Sequence, residues 1–293
     1  MTASGDIDTI VATALGELRV RGSSARLTAE LSAYHCLDGR GFGGWTAALA
    51  GLAASCLAAD KHLRSLQTIF SRGAVPGELT FEVTTLVEGR TASAYRVTAY
   101  QTDQPVLAAL AWFTAPSLLA PTGLPSPDFA TQPTPESCPR VDWIAKIGEF
   151  LGGFEIRAVD YALSQAEFEG PFRDGGDGVA LWVGAAAGWG GSAETGASAV
   201  VSGLAERLTD LMMFDAFLMD AALRGRPGDG MLTLDLTTEW HATPGPATGM
   251  TLLQATGHTH GLVASTHGTL TSLSGHIRAT ATSQCRVYPG AGR

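Results

Sequence analysis

Asp215 is the residue in this sequence best placed to do chemistry. From Ser202 to Arg224 the chain reads SGLAERLTDLMMFDAFLMDAALR, an almost wholly apolar helix. Steps of four and three put Leu204, Leu208, Leu211, Asp215, Leu218 and Ala222 on one stripe, so this carboxylate falls in the middle of an apolar face. An ionised carboxylate there is costly unless something pairs with it, and burial raises its pKa toward the range where it takes a proton from water. Two readings stay open: a functional acid, or a helix pivoted so that Asp215 reaches water or a backbone amide. Glu206, Asp210, Asp220 and Arg224 share a neighbouring stripe, where Asp220 and Arg224 form an i, i+4 pair suited to solvent. Asp210 and Asp220 therefore serve as controls for Asp215.

Other reactive residue types fall into no productive spacing. Cys36, Cys56, Cys138 and Cys285 lie far apart and match no zinc or CxxC pattern, so free thiols are expected. His258 and His260 alternate on a strand-like stretch and share a face, but no third ligand accompanies them, so no metal is expected. The glycine-rich run 35–44, HCLDGRGFGG, leads into an apolar segment and suits a helix N-terminus that holds a phosphate or a carbonyl oxygen, or one that packs closely. It fits neither the dinucleotide fingerprint nor a P-loop.

Periodicity supplies the elements that must position these residues. Residues 45–59, WTAALAGLAASCLAA, read as a helix with almost no polar face, buried on most sides. The period then changes to two, predicting strands at 64–71, 78–88, 91–102 and 105–115 with turns at Pro76-Gly77, Glu88-Gly89 and Thr102-Asp103. Residues 116–140 hold much of the proline and no periodicity, as an inter-domain linker does. A short helix at 142–152, strands at 154–161 and 179–183, the long helix at 198–224, and strands at 231–241, 250–258, 262–273 and 276–287 complete the chain. Residues 6–18 read as a helix-like start, with alternating stretches at 17–21 and 24–31 after it. The second half thus repeats the order of the first: glycine-rich lead-in, helix, four strands. Laying Gly77 over Gly249 also lays Gly89 over Gly261. The fold class is α+β, and two such copies side by side make one larger sheet. The expected domains are 1–117, a linker at 118–140, and 141–293.

The chain has 293 residues, 45% of them hydrophobic and 16% charged, which suits a large core and excludes disorder as the main state. A net charge of −9 argues against nucleic acid or an anionic membrane as the main partner. No signal-peptide pattern and no apolar run of about 20 residues is present, so a cytoplasmic protein with no membrane partner is expected.

A long helix wrapped by an antiparallel sheet, duplicated in one chain, resembles the double hotdog fold. The residues resemble in particular the acyl-CoA thioesterase II (TesB-like) family. In the first half these are Gly43-Gly44 opening an Ala-rich helix, Arg64-Ser65, Phe70, Pro76-Gly77 and Gly89-Arg90. In the second they are Asp215 before Ala-Phe-Leu, the strand Thr233–His241, and Ala281-Thr-Ser-Gln284, similar to the family's A-S-x-x-Q ending. The likeness spans nearly the whole chain apart from the linker and the first stretch. It departs at Trp182-Val-Gly184, where the family carries Trp-x-Arg, and at Phe214-Asp215, where it carries Ser-Asp.

The resemblance implies an acyl-CoA substrate, no cofactor, and a catalytic set of Asp215, Thr233 and Gln284. Thioester hydrolysis needs an oriented water, a proton acceptor and donors for the developing oxyanion. Asp215 would accept the proton, Thr233 would bond the water or the carboxylate, and Gln284 would fix the water with its donor and acceptor. Thr233 also suits a strand on propensity alone, Gln284 also suits a solvated strand position, and Asp235 is the substitute if the strand is one residue out of phase. No nucleophile elbow is present, so water rather than an acyl-enzyme is expected. Trp112 underlies Gln284 in the repeat and the first helix has no acid, so the first hotdog is the non-catalytic copy. A non-catalytic acyl-CoA binder and an enoyl-CoA hydratase are the alternatives on this fold. Exposed sheet edges favour a homo-oligomer, dimeric or higher.

Overall fold

The computed structural model describes residues 19–21, 23–58, 60–170, 178–185, 199–224, 230–244 and 249–288. The helix-like start at 6–18 and most of the glycine-rich 184–197 lie outside them. In the first half, strands β1 (Arg19–Arg21) and β2 (Ser24–Leu31) precede a small hairpin, β3 (Cys36–Leu37) and β4 (Arg40–Gly41). Helix α1 (Gly43–Ser55) and strands β5 (His62–Phe70), β6 (Gly77–Glu88), β7 (Ala92–Gln101) and β8 (Gln104–Thr114) follow. After a short strand β9 (Leu124–Pro125), the second half holds β10 (Phe154–Asp160), a one-turn helix α2 (Gln165–Glu169), β11 (Gly178–Ala185) and the long helix α3 (Ala199–Leu223). Strands β12 (Gly230–Trp240), β13 (Thr251–His260), β14 (Val263–Thr271) and β15 (His276–Tyr288) end the described chain.

All strands but the β3–β4 hairpin form one sheet in the order β1-β2-β6-β7-β8-β5-β12-β15-β14-β13-β11-β10, with β9 added against β15. The two halves meet where β5 and β12 pair antiparallel, from Ser65 opposite Glu239 to Ile69 opposite Asp235. The double hotdog expected from the sequence is thus the observed fold, with one continuous sheet. Period-two patterning explains why: in β6, for example, Leu79, Phe81 and Val83 are buried while Glu78, Glu82 and Thr84 face outward. The matched turn glycines both need a backbone that side chains avoid, with φ of +138° at Gly77 and +101° at Gly249.

Both helices lie against one face of the sheet and against each other, and a single apolar core runs across the two halves. The contact between helices is close because α1 is built from small residues. A Cβ at Gly44 would stand 2.9 Å from Leu211 O and Met212 Cα of α3. No described helix is long and apolar enough to cross a membrane.

Three sequence expectations change. The helix expected at 142–152 is two short 3-10 turns, Ile144–Lys146 and Glu149–Gly153, because Gly148 separates two segments too brief for an α-helix nucleus. The proline-rich 116–140 lies along the second half: β9 pairs with β15, and the Trp182 indole donates to Pro133 O at 2.9 Å. The stripe of Asp210 and Asp220 is less solvated than expected: Asp220 is half-buried. Asp210 is fully buried, bonded by both guanidinium nitrogens of Arg278 at 2.7 and 2.5 Å and by Trp240 Nε1 at 2.9 Å. Asp220 accepts from Tyr161, and Arg224 pairs with Asp160.

Candidate active site

The site forms where the N-terminus of α1 meets the middle of α3. Phe42 takes extended backbone before α1, so the amides of Gly43 and Gly44 are among the first-turn N–H groups that lack an intrahelical acceptor. Asp215 supplies one. Gly44 N–H donates to Asp215 Oδ2 at 2.7 Å, a cap reaching across the two repeats, and the positive end of α1 stabilises the charge. From β12, Thr233 Oγ1 donates to Asp215 Oδ1 at 2.9 Å, with Met219 Sδ 3.4 Å from the same hydroxyl.

Asp215 is only 2% exposed, and burial pushes its pKa up from 3.8 to about 6, against the opposing pull of the Gly44 amide and the Thr233 hydroxyl. The carboxyl nevertheless lies in the wall of a cleft of about 630 Å³. Phe42, Phe70, Leu107, Met219 and Met231 give that cleft an apolar interior, and Gly43 and Thr233 also line it. Gly43 keeps the carboxylate open. A Cβ on it would stand 2.9 Å from Oδ2, 3.3 Å from Oδ1 and 3.3 Å from Phe70 Cζ. Among the described residues the Gly43 amide has no recorded partner of its own. A buried carboxylate with a pKa near neutrality, an open face and a spare amide beside it can activate water and steady an oxyanion.

Of the three residues expected to meet, Asp215 and Thr233 do and Gln284 does not. Gln284 is exposed, and its backbone N–H donates to Asp235 Oδ1 at 3.0 Å. The neighbours of Gln284 on β15, Ser283 and Cys285, are buried. Ser283 Oγ donates to Asp235 O at 2.6 Å, and Cys285 stands opposite Thr233 with its thiol pushed up to about 12 by burial. Unbroken alternation from Ala279 to Val287 puts Gln284 on the exposed face of β15, and a β-bulge in β12 brings Thr233 onto the opposite, buried face. Between Thr233 and Asp235 the register against β15 shifts, so Leu234 is an extra residue, and a one-residue slip turns a side chain to the other face. Asp235 thereby holds β15 through Gln284 N–H rather than the cleft.

The bulge recurs in the first repeat, where the register of β5 against β8 shifts between Leu63 and Ser65. Leu63 stands where Thr233 does, and Phe113 and Trp112 correspond to Cys285 and Gln284. The inward positions that are polar in the second copy are apolar in the first. His258 and His260 are exposed on β13, and no metal-binding cluster occurs among the described residues.

Residues 31–114 match the model of the acyl-CoA thioesterase N-terminal domain. The resemblance to TesB-like thioesterase II is borne out over that segment by sequence and over the chain by fold. A TesB protein of Mycobacterium avium subspecies paratuberculosis superposes with a TM-score of 0.71 at 23% identity, over 95% of this chain and 98% of that one. An acyl-CoA thioesterase II from Mycobacterium marinum gives 0.69 at 18% identity, covering 98% and 100%. A hot dog fold protein from Alicyclobacillus acidocaldarius gives 0.68 at 17%, covering 96% and 97%. No curated protein matches the sequence.

Proposed function

We propose that this protein is an acyl-CoA thioesterase that uses Asp215 to activate water. The observation that carries the reading is the Asp215 carboxylate, buried by its surroundings yet open to an apolar cleft, with its pKa moved to about 6. At pH 7 such a group is about nine-tenths ionised and still basic enough to take a proton. The match of residues 31–114 and the TesB-like fold support the substrate class.

In the proposed reaction, water attacks the thioester carbonyl carbon as its proton passes to Asp215. The carbonyl electrons move to oxygen, where the Gly43 amide donates. Collapse breaks the C–S bond, and the proton on Asp215 goes to the leaving thiolate, giving free acid and CoA. Thr233 fixes the carboxyl orientation through Oδ1, as Gly44 does through Oδ2. Gln284 takes no part in this scheme, because its side chain lies on the outer face. The second hotdog, 141–293, carries the side chains of the site, while the first, 1–117, contributes the α1 amides; 118–140 joins them.

Thiol release across acyl-CoAs of graded chain length tests the reading. Turnover with at least one of them is expected. If none is hydrolysed while acyl-CoA still binds, the protein is a binder on the same fold.

A further inference from the structure

The cleft that holds Asp215 is lined by three arginines, Arg40, Arg72 and Arg286, all exposed. They come from distant parts of the chain: β4, the loop after β5, and the end of β15. Among the described residues none of the three guanidinium groups has a recorded hydrogen-bond or ion-pair partner. Two of them are nonetheless held. The stem of Arg40 lies over Gly73, whose absent Cβ would be 3.3 Å from Arg40 Cδ, and Arg286 sits 4.9 Å above the Tyr288 ring. Asp38 is the one exposed acid lining the cleft, in a chain whose net charge is −9. Three guanidinium groups without acid partners at one opening create a local positive potential.

We propose that Arg40, Arg72 and Arg286 form the phosphate-binding rim of the cleft and select coenzyme A thioesters over thioesters that lack the nucleotide. The inference rests on the thioesterase reading, since it assigns the two ends of one substrate. The apolar interior takes the acyl chain and pantetheine arm, and the rim takes the diphosphate and 3′-phosphate. Guanidinium groups suit this task because their planar donor forks match phosphate oxygens. Coenzyme A offers three phosphates to three arginines, whereas a carrier-protein arm offers one, which favours the free coenzyme.

The test measures binding of CoA and of pantetheine by calorimetry, with the natural chain and with the triple variant R40A/R72A/R286A. Thiol release from an acyl-CoA, the matching acyl-N-acetylcysteamine thioester and the matching acyl-carrier protein is followed alongside, at low and high salt. Each lost contact is expected to weaken CoA binding roughly 3- to 10-fold at low salt, less at high salt. Pantetheine binding is expected to be weak and unchanged by the substitutions, and the preference for acyl-CoA over the truncated thioester collapses in the triple variant. Pantetheine binding as tightly as CoA, or unchanged CoA binding by the triple variant, overturns the proposal. So does loss of carrier-protein turnover with CoA turnover spared, which assigns the rim to a carrier. Arginine-dependent CoA binding without any thiol release leaves the rim standing and sinks the thioesterase reading. Equal hydrolysis of the CoA and truncated thioesters does the reverse.

Discussion

Replacing Asp215 with Asn is expected to make the protein more stable at neutral pH while it abolishes activity. The magnitude follows from the pKa. Asp215 titrates near 3.8 in an unfolded chain and near 6 in the fold, so the folded state holds the proton more tightly. Above pH 6 both states are ionised and the fold carries the full cost of the buried charge, roughly 3 kcal/mol at 1.36 kcal/mol per pH unit. As pH falls through 6 that cost is relieved, and by pH 4 only about 0.5 kcal/mol remains. Asn keeps an acceptor for Gly44 N–H, but its amide group requires Thr233 to turn its hydroxyl, which offsets part of the gain. A net stabilisation of about 1–3 kcal/mol at pH 7.5 is expected, shrinking toward zero at pH 4. Urea unfolding of both proteins at the two pH values measures it, and the difference between them isolates Asp215 from every other titrating group. An Asn variant less stable than the natural chain at pH 7.5, or a difference that does not change with pH, refutes the reasoning.

Further outcomes follow from the same geometry. The logarithm of kcat/KM is expected to fall with unit slope below about pH 6 and level off above it, as Asp215 must be ionised to accept a proton; a pH–rate profile flat from 5 to 8 contradicts this. Gly43→Ala places a methyl group 2.9 Å from the carboxylate and is expected to cost at least about tenfold in kcat and about 1–2 kcal/mol in stability, read by denaturant midpoint, as the bonded carboxylate must shift. Gly44→Ala pushes against the α3 backbone and is expected to lower stability by about 1–3 kcal/mol, read by denaturant midpoint. Thr233→Val is expected to reduce kcat about tenfold or more and move the acid limb upward, because the carboxylate loses a donor; Gln284→Ala is expected to change kcat less than about twofold.

Much of this arrangement is legible in the sequence because it depends on local periodicity. The strands of both halves, the turn glycines and both long helices follow from period two and period 3.6, and the duplication follows from their order. Asp215 is legible because an acid in an apolar stripe is visible without any partner. Its partners are harder. The outward face of Gln284 follows from alternation along β15, but the inward face of Thr233 turns on a single extra residue at Leu234, a bulge that β12 shows only against its partner strand. Asp210 looks solvated on the helical wheel because the cation that lets it be buried, Arg278, arrives 68 residues later. The Gly44 amide leaves no side-chain signature at all, and its bond to Asp215 spans 171 residues. The three cleft arginines are scattered among many, and only the folded chain brings them to one opening.

The most direct measurement compares kcat for acyl-CoA hydrolysis by the natural chain and by Asp215→Asn, with CoA affinity determined on both. A loss of about a thousandfold or more in kcat with CoA affinity kept is the expected result, in the range found when a group acting on the transition state is removed. Activity of the Asn variant within tenfold of the natural chain contradicts a water activated by Asp215.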